Sequence, residues 1–197
     1  MSKRKIFSIK QQYKESFNYL KESLIQIIII ATIFITSIFL GFFSANLLSQ
    51  IISPLLRQII NQTIDLDTTE LIFFILQNNL QTSFFGFISG IFLGIFPILT
   101  TLINGVVIGY VIERATQLSS FLEIINTFIP HGIFEIPAVI ISLALGLKFT
   151  GFILAKPGHK IKELKRRFYN SINIFLFIIL PLLIIAAIIE GLLIYLI

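Results

Sequence analysis

The sequence predicts an all-α integral membrane protein with about five transmembrane helices, interfacial amphipathic helices and one helix broken near Pro130–Gly132. Three observations lead there. Hydrophobic residues make up 56% of the 197 residues and charged ones 13%, at a mean hydropathy of +0.95. A soluble domain of this size could be so apolar only by exposing large patches. The apolar residues are gathered into runs long enough to cross a hydrocarbon core of about 30 Å. Twelve of the fifteen Lys and Arg sit in two clusters beside those runs, Lys3, Arg4, Lys5, Lys10, Lys14 and Lys21, then Lys156, Lys160, Lys162, Lys165, Arg166 and Arg167. Positive charge placed this way marks cytoplasmic segments.

Taken in order, residues 1–23 form a cytoplasmic basic segment and residues 24–197 a single transmembrane domain. Ile6, Ile9, Tyr13, Phe17, Leu20 and Leu24 recur at steps of three and four with Lys and Gln between them, so residues 5–24 read as an amphipathic helix at the membrane surface. Residues 24–43 carry no charge and make the first span, a retained anchor rather than a cleavable signal peptide. Leu47/Leu48, Ile51/Ile52, Leu55/Leu56 and Ile59/Ile60 then repeat every four residues, a second amphipathic helix. Asp67 and Glu70 have the spacing of a capping box opening the next helix.

From Leu71 to Ile112 the chain stays apolar for about forty residues, roughly 63 Å as one helix, which is twice the bilayer core. It must fold back. A helix over 68–96 with its span at 71–96, a turn at Pro97–Thr101 and a short third span at 102–113 satisfy this, with Glu113, Arg114, Gln117 and Ser119 as the next polar loop. Ser120 and Glu123 give another capping box. The fourth region, 121–155, contains Pro130-His131-Gly132 and Pro137 and reads as a half-helix to about 129, a break, and a helix from 133 to 155. A basic loop, 156–170, leads to the last span, 172–197.

Parity ties these together. Both basic clusters belong in the cytoplasm, so an even number of crossings separates them, and four do so here. The protein is then a multi-pass component of the cell membrane with its N-terminus cytoplasmic and its C-terminus outside. Bilayer lipid and its anionic headgroups are the partners expected of the basic segments, whereas nucleic acid is not, because no folded module lies between them.

Gly86, Gly90 and Gly94 share one helix face, and Gly105 and Gly109 another. Small residues four apart let helix backbones approach closely in lipid. Their partner is another helix of the chain or a second subunit, and a homo-oligomer, a dimer foremost, is expected, together with other membrane-protein partners.

Polar residues inside the apolar runs carry the chemistry: Gln77, Asn78, Asn79, Gln81, Asn104, His131, Glu135 and Glu190. A charge at mid-bilayer costs ~2.5–3.5 kcal/mol even on the lenient insertion scale, so both Glu need partners or water. His131 and Glu135 are four apart, on one helix face if the helix begins after the break. Three readings compete: a structural cluster that also takes in Asn104, a site for a proton, cation or polar ligand, and metal catalysis. The last is disfavoured. A zinc helix needs two His four apart plus a base, and the other histidine, His159, lies in the basic loop. No phosphate loop or nucleophile elbow is present, and with no cysteine there is no thiol chemistry. No enzyme activity, no catalytic residue and no cofactor are therefore expected, and a metal is left open.

The run Phe128-Ile-Pro-His-Gly-Ile-Phe-Glu135-Ile-Pro-Ala138 resembles the stage II sporulation protein M family of polytopic membrane proteins. Asn78-Asn79 before the glycine stripe, Asn104-Gly105-x-x-x-Gly109, Lys156-Pro157-Gly158 and Glu190 after Ala186-Ala187 match it too. The resemblance covers nearly the whole chain from about residue 10. It implies the fold and the polar cluster. For the sporulation member it implies a membrane scaffold acting with a peptidoglycan hydrolase and a lytic transglycosylase. For this chain a scaffold or accessory subunit leads, and a small transporter or channel built on His131, Glu135, Glu190 and Asn104 is the alternative.

Overall fold

Inside a bilayer only intrahelical bonds can satisfy the backbone, so each long apolar run is expected to be helical. The computed structural model describes residues 9–118 and 121–196, with side chains for all of these except residues 9, 121–131 and 194–196. Its helices are α1 (Ile9–Glu22), α2 (Leu24–Phe43), α3 (Ala45–Thr63), α4 (Thr68–Ile88), α5 (Ile95–Leu118), α6 (Phe121–Thr150), α7 (Lys160–Ile174) and α8 (Leu180–Leu196). Among the described residues there is no strand. Five helices are long and apolar enough to cross a membrane: Leu24–Phe43, Thr68–Ile91, Ile95–Leu118, Gly132–Thr150 and the continuous helix from Lys160 to Leu193.

Several boundaries follow the sequence closely. The first span is Leu24–Phe43 as expected. The Asp67 carboxylate accepts from the Glu70 backbone N–H at 2.8 Å, and Glu70 accepts from the Asp67 N–H at 3.0 Å, a complete capping box on α4. Helix α3 sets Ala45 and Ile52 against Tyr110 and ties Ser53 to the Tyr110 hydroxyl at 2.7 Å, while Leu47, Ile51 and Leu55 stay exposed.

Four expectations are corrected. The turn between the second and third spans is at Phe92–Gly94, not at Pro97–Thr101. Gly94 takes a φ of +70°, which glycine adopts without strain, and Pro97 sits in the first turn of α5, where its missing N–H has no intrahelical partner to lose. Consequently the third span is Ile95–Leu118 rather than 102–113, and residues 113–118 are helix rather than loop. Helix α6 runs from Phe121 to Thr150 with no break at Pro130–Gly132, and it ends five residues before the expected 155. A proline removes one backbone bond and kinks a helix; opening the whole chain in lipid would leave more groups unpaired, so continuity wins. The basic stretch is largely helical too. Glu163 pairs with Arg166 at 3.1 Å and with Arg167 at 3.3 Å, while Leu164 packs toward the core, so residues 160–174 form α7. A π turn at Phe175–Ile179 joins α7 to α8 and precedes Pro181, which cannot donate to a carbonyl one turn back. The Ser120–Glu123 capping box and the part of the amphipathic segment before residue 9 lie outside the described residues.

The bundle closes on its glycines. A Cβ added to Gly41 would strike the Val106 backbone, one on Gly105 would meet Ser37 and the Phe34 carbonyl, and one on Gly109 would strike Ile38, so α2 and α5 lie backbone to backbone. Gly86 faces Leu143, and Gly90 faces the Gly146 carbonyl on α6. Gly94 lies in the turn and so is not part of a helical stripe. Between these contacts Phe87, Leu145, Ile174, Ile179 and Leu183 are buried as one core.

Candidate functional site

Among its described side chains, α6 carries charge at two levels. Glu135 and Lys148 are thirteen residues apart, about 20 Å along the axis, so they face different ends of the bundle.

At the first level, α4 brings Asn78 and Asn79 to Glu135 of α6 and Glu190 of α8. Together with Thr63 of α3 they line a cavity of about 250 Å³. Asn79 is buried on this cavity beside Glu135. Glu190 Oε2 is buried and has no hydrogen-bond partner among the described residues. Leu71, Phe74 and Ile75 of α4 and Ile59 of α3 form the apolar part of the wall, which puts the cavity at the end of the bundle where α3 turns into α4. A volume of this size is well above the ~10–15 Å³ one water needs, and the polar groups present could hold water, a proton or a small cation. Two carboxylates in one low-dielectric cavity repel each other, and a shared proton or a cation between them relieves that repulsion. Two carboxylate and two amide oxygens suit a hard cation rather than zinc. Among the described residues no three His, Asp or Glu side chains are grouped to hold a metal.

The sequence-predicted set is thus only partly gathered. Asn78, Asn79, Glu135 and Glu190 share one cavity. Asn104 does not join them: its amide donates to the Thr100 carbonyl at 2.8 Å, and it lines a separate groove with Gln81, Thr82 and Ser89. The i−4 carbonyl on its own helix is the nearest acceptor a lone Asn can reach, so no distant partner is needed. The side chain of His131 lies outside the described residues.

At the second level is a residue to which sequence reasoning assigned no role. Lys148 is 7% exposed, and its Nζ donates to Ser23 Oγ at 2.9 Å, lies 3.8 Å from the Tyr19 ring centre and 3.8 Å from Glu22 Oε2. Burial holds the Tyr19 hydroxyl above its ordinary value, against the pull of Arg167 and Arg166, so the ring beneath the ammonium stays neutral. Arg167 closes the arrangement by donating to the Lys148 carbonyl at 2.6 Å. The signal was available: Lys148 is the one charged residue between Glu135 and Lys156. A lysine in the last turn of a helix also complements the helix dipole, which makes it easy to pass over.

The family model for stage II sporulation protein M matches residues 30–193, a stretch that takes in the carboxylate cavity and the glycine contacts. The chain belongs to the stage II sporulation protein M family. Its relatives include two uncharacterized proteins of Methanocaldococcus jannaschii. One is 31% identical over 134 residues, 66% of this chain and 58% of that protein. The other is 31% identical over 121 residues, 59% of this chain and 66% of that protein. The chain spans somewhat less than two thirds of the length of these curated relatives. No solved structure matches it. Family membership and five apolar helices make it a membrane protein.

Proposed function

We propose that this member of the stage II sporulation protein M family is a non-enzymatic membrane protein that binds a proton or a small cation in its carboxylate cavity, in the manner of a small transporter. The observation that carries this reading is the 250 Å³ cavity lined by Asn78, Asn79, Glu135 and Glu190, with one Glu190 oxygen buried and unpartnered. A purely structural cluster would be dry and fully paired, because an unmet buried acceptor costs about 1–3 kcal/mol. Ionisable groups within membrane spans mark ion and proton pathways more often than packing. The charge rule orients the site: α1 and α7 are cytoplasmic, the cavity opens on the outer side, and the C-terminus is outside.

The alternative is a scaffold or accessory subunit for membrane partners, the role that the family resemblance suggests. It is supported by α3, whose Leu47, Ile51 and Leu55 are exposed among the described residues. If the protein is oligomeric, such a face would make the contact, since Gly86, Gly90, Gly105 and Gly109 all face helices of the same chain.

The deciding experiment is flux of protons and of Na⁺ into vesicles containing the purified chain. The transport reading expects flux above empty vesicles that Glu190→Gln and Glu135→Gln abolish while both variants remain folded. Wild-type protein that carries neither ion leaves the scaffold reading. Labelling of single cysteines at Lys162 and Asp65 from opposite sides of the membrane tests the orientation, and labelling from the same side refutes it.

A further inference from the structure

A second cavity, about 900 Å³, opens at the basic end, where the start of α2 meets the end of α6 and the start of α7. Lys148, Lys156, His159 and Arg167 line it against a single carboxylate, Glu163. That carboxylate is already engaged. Arg166 donates to both its oxygens at 3.1 Å, and Arg167 Nε donates at 3.3 Å. The bond from Arg167 Nη1 to the Lys148 carbonyl fixes the guanidinium at the wall and leaves its Nη2 without a partner among the described residues. The Lys156 and His159 side chains are exposed and likewise make no hydrogen bond or ion pair among the described residues. The cavity therefore has an excess of donors and positive charge.

Its other wall is apolar, formed by Ile29, Leu147 and Leu154, with Leu154 89% exposed. Between the two walls lies the Gln26 side chain, whose Oε1 has no hydrogen-bond partner among the described residues. Donors for a phosphate ester, an acceptor for a hydroxyl and an apolar strip leading toward the hydrocarbon occur together here. We infer that this cavity binds the headgroup of an anionic phospholipid that carries hydroxyl groups, as a glycerol headgroup does. The phosphodiester lies among Lys156, His159 and Arg167, a headgroup hydroxyl donates to Gln26, and the acyl chains follow Ile29 and Leu154. This goes beyond diffuse attraction of basic helices to an acidic membrane surface, because it names one seat and a headgroup chemistry. Free phosphate shares the ester chemistry but would leave the apolar wall and Gln26 unused.

The test uses the full chain in detergent, with native mass spectrometry and thermal unfolding in the presence of phosphatidylglycerol, phosphatidylcholine or inorganic phosphate. Phosphatidylglycerol is expected to be retained and to raise the unfolding midpoint by a few degrees, with little effect from the other two. The double variant Lys156→Gln/His159→Gln, at exposed positions with no intramolecular bond to lose, is expected to weaken phosphatidylglycerol roughly five- to tenfold. Gln26→Leu is expected to narrow its preference over phosphatidic acid, which lacks the headgroup hydroxyls. The control Lys10→Gln/Lys14→Gln, on α1 and away from the cavity, is expected to stay within about twofold of wild type. Equal retention of phosphatidylcholine, equal stabilisation by inorganic phosphate, or an equal loss in the α1 control would each overturn the proposal.

Discussion

The middle and the C-terminal end of α6 meet the same difficulty, a charged side chain on an apolar helix, in opposite ways. Lys148 is surrounded by groups that suit an ammonium: the Ser23 hydroxyl, the Tyr19 ring and the Glu22 carboxylate. Glu135 and Glu190 instead share a cavity whose other polar lining is Asn78, Asn79 and Thr63, and one carboxylate oxygen has no partner among the described residues. Saturation at one level and deficit at the other separate a charge whose needs the fold meets from charges that it leaves short of partners. Glycine contacts lie between the two levels, Gly86 on Leu143 and Gly90 on Gly146, and close the bundle there. This closure is why the carboxylate cavity reads as a one-sided site and not as a pore.

The largest effect is expected where the two levels are kept apart. Gly90→Leu forces a branched side chain onto the Gly146 backbone, which cannot yield as a side-chain end could. A cost of about 3 kcal/mol or more is expected, read as loss of folded protein on detergent gel filtration or early unfolding in SDS. Ile91→Leu, at a neighbouring residue that is 43% exposed, is expected to be tolerated. Equal tolerance at both positions would mean that the contact does not divide the bundle.

Next comes the saturated end. Lys148→Ala removes the ammonium from Ser23 and the Tyr19 ring together with the stem packed around it, and about 2 kcal/mol of stability is expected to go. Glu22→Gln is expected to cost well under that, no more than about 1 kcal/mol, because the Glu22 side chain is 57% exposed and solvent screens the pair. Equal losses would show that the ion pair, rather than the hydroxyl and ring, holds Lys148.

Smaller effects test the open end. Asp67→Ala removes the carboxylate that accepts from the Glu70 N–H in the capping box that starts α4, leaves the bond from the residue-67 N–H to Glu70, and is expected to cost about 1 kcal/mol in SDS unfolding. Glu190→Gln is expected to change stability by less than about 0.5 kcal/mol, since the oxygen it replaces accepts no bond among the described residues. A loss from Glu190→Gln as large as that from Lys148→Ala would erase the contrast between the two ends and make the carboxylates structural.

Much of this was legible in the residues themselves. Uncharged runs such as 24–43 leave the backbone no option in lipid but a helix, so spans can be read from length and composition. The Asp67/Glu70 box was legible because its partners lie within one turn and need no tertiary contact. What the sequence alone determined, then, is the membrane class, the number of spans and the polar residues that must be sheltered. Local chemistry misled at Pro130 and Pro97, because a proline signals a break only where water can take up the freed backbone groups; in lipid the helix persists, and Pro97 fits a helix start instead. Tertiary structure alone decided which polar residues meet. Asn104 satisfies its amide on its own helix, whereas Glu190, 55 residues after Glu135, reaches it only because α8 packs against α6 and α4. Tertiary structure also decided that Lys148 lies against Ser23, because the contact spans 125 residues of chain and depends on how α1 and α2 lie against the end of α6. Periodicity fixes which face a side chain is on, but the partner that face meets is set by packing of the whole bundle.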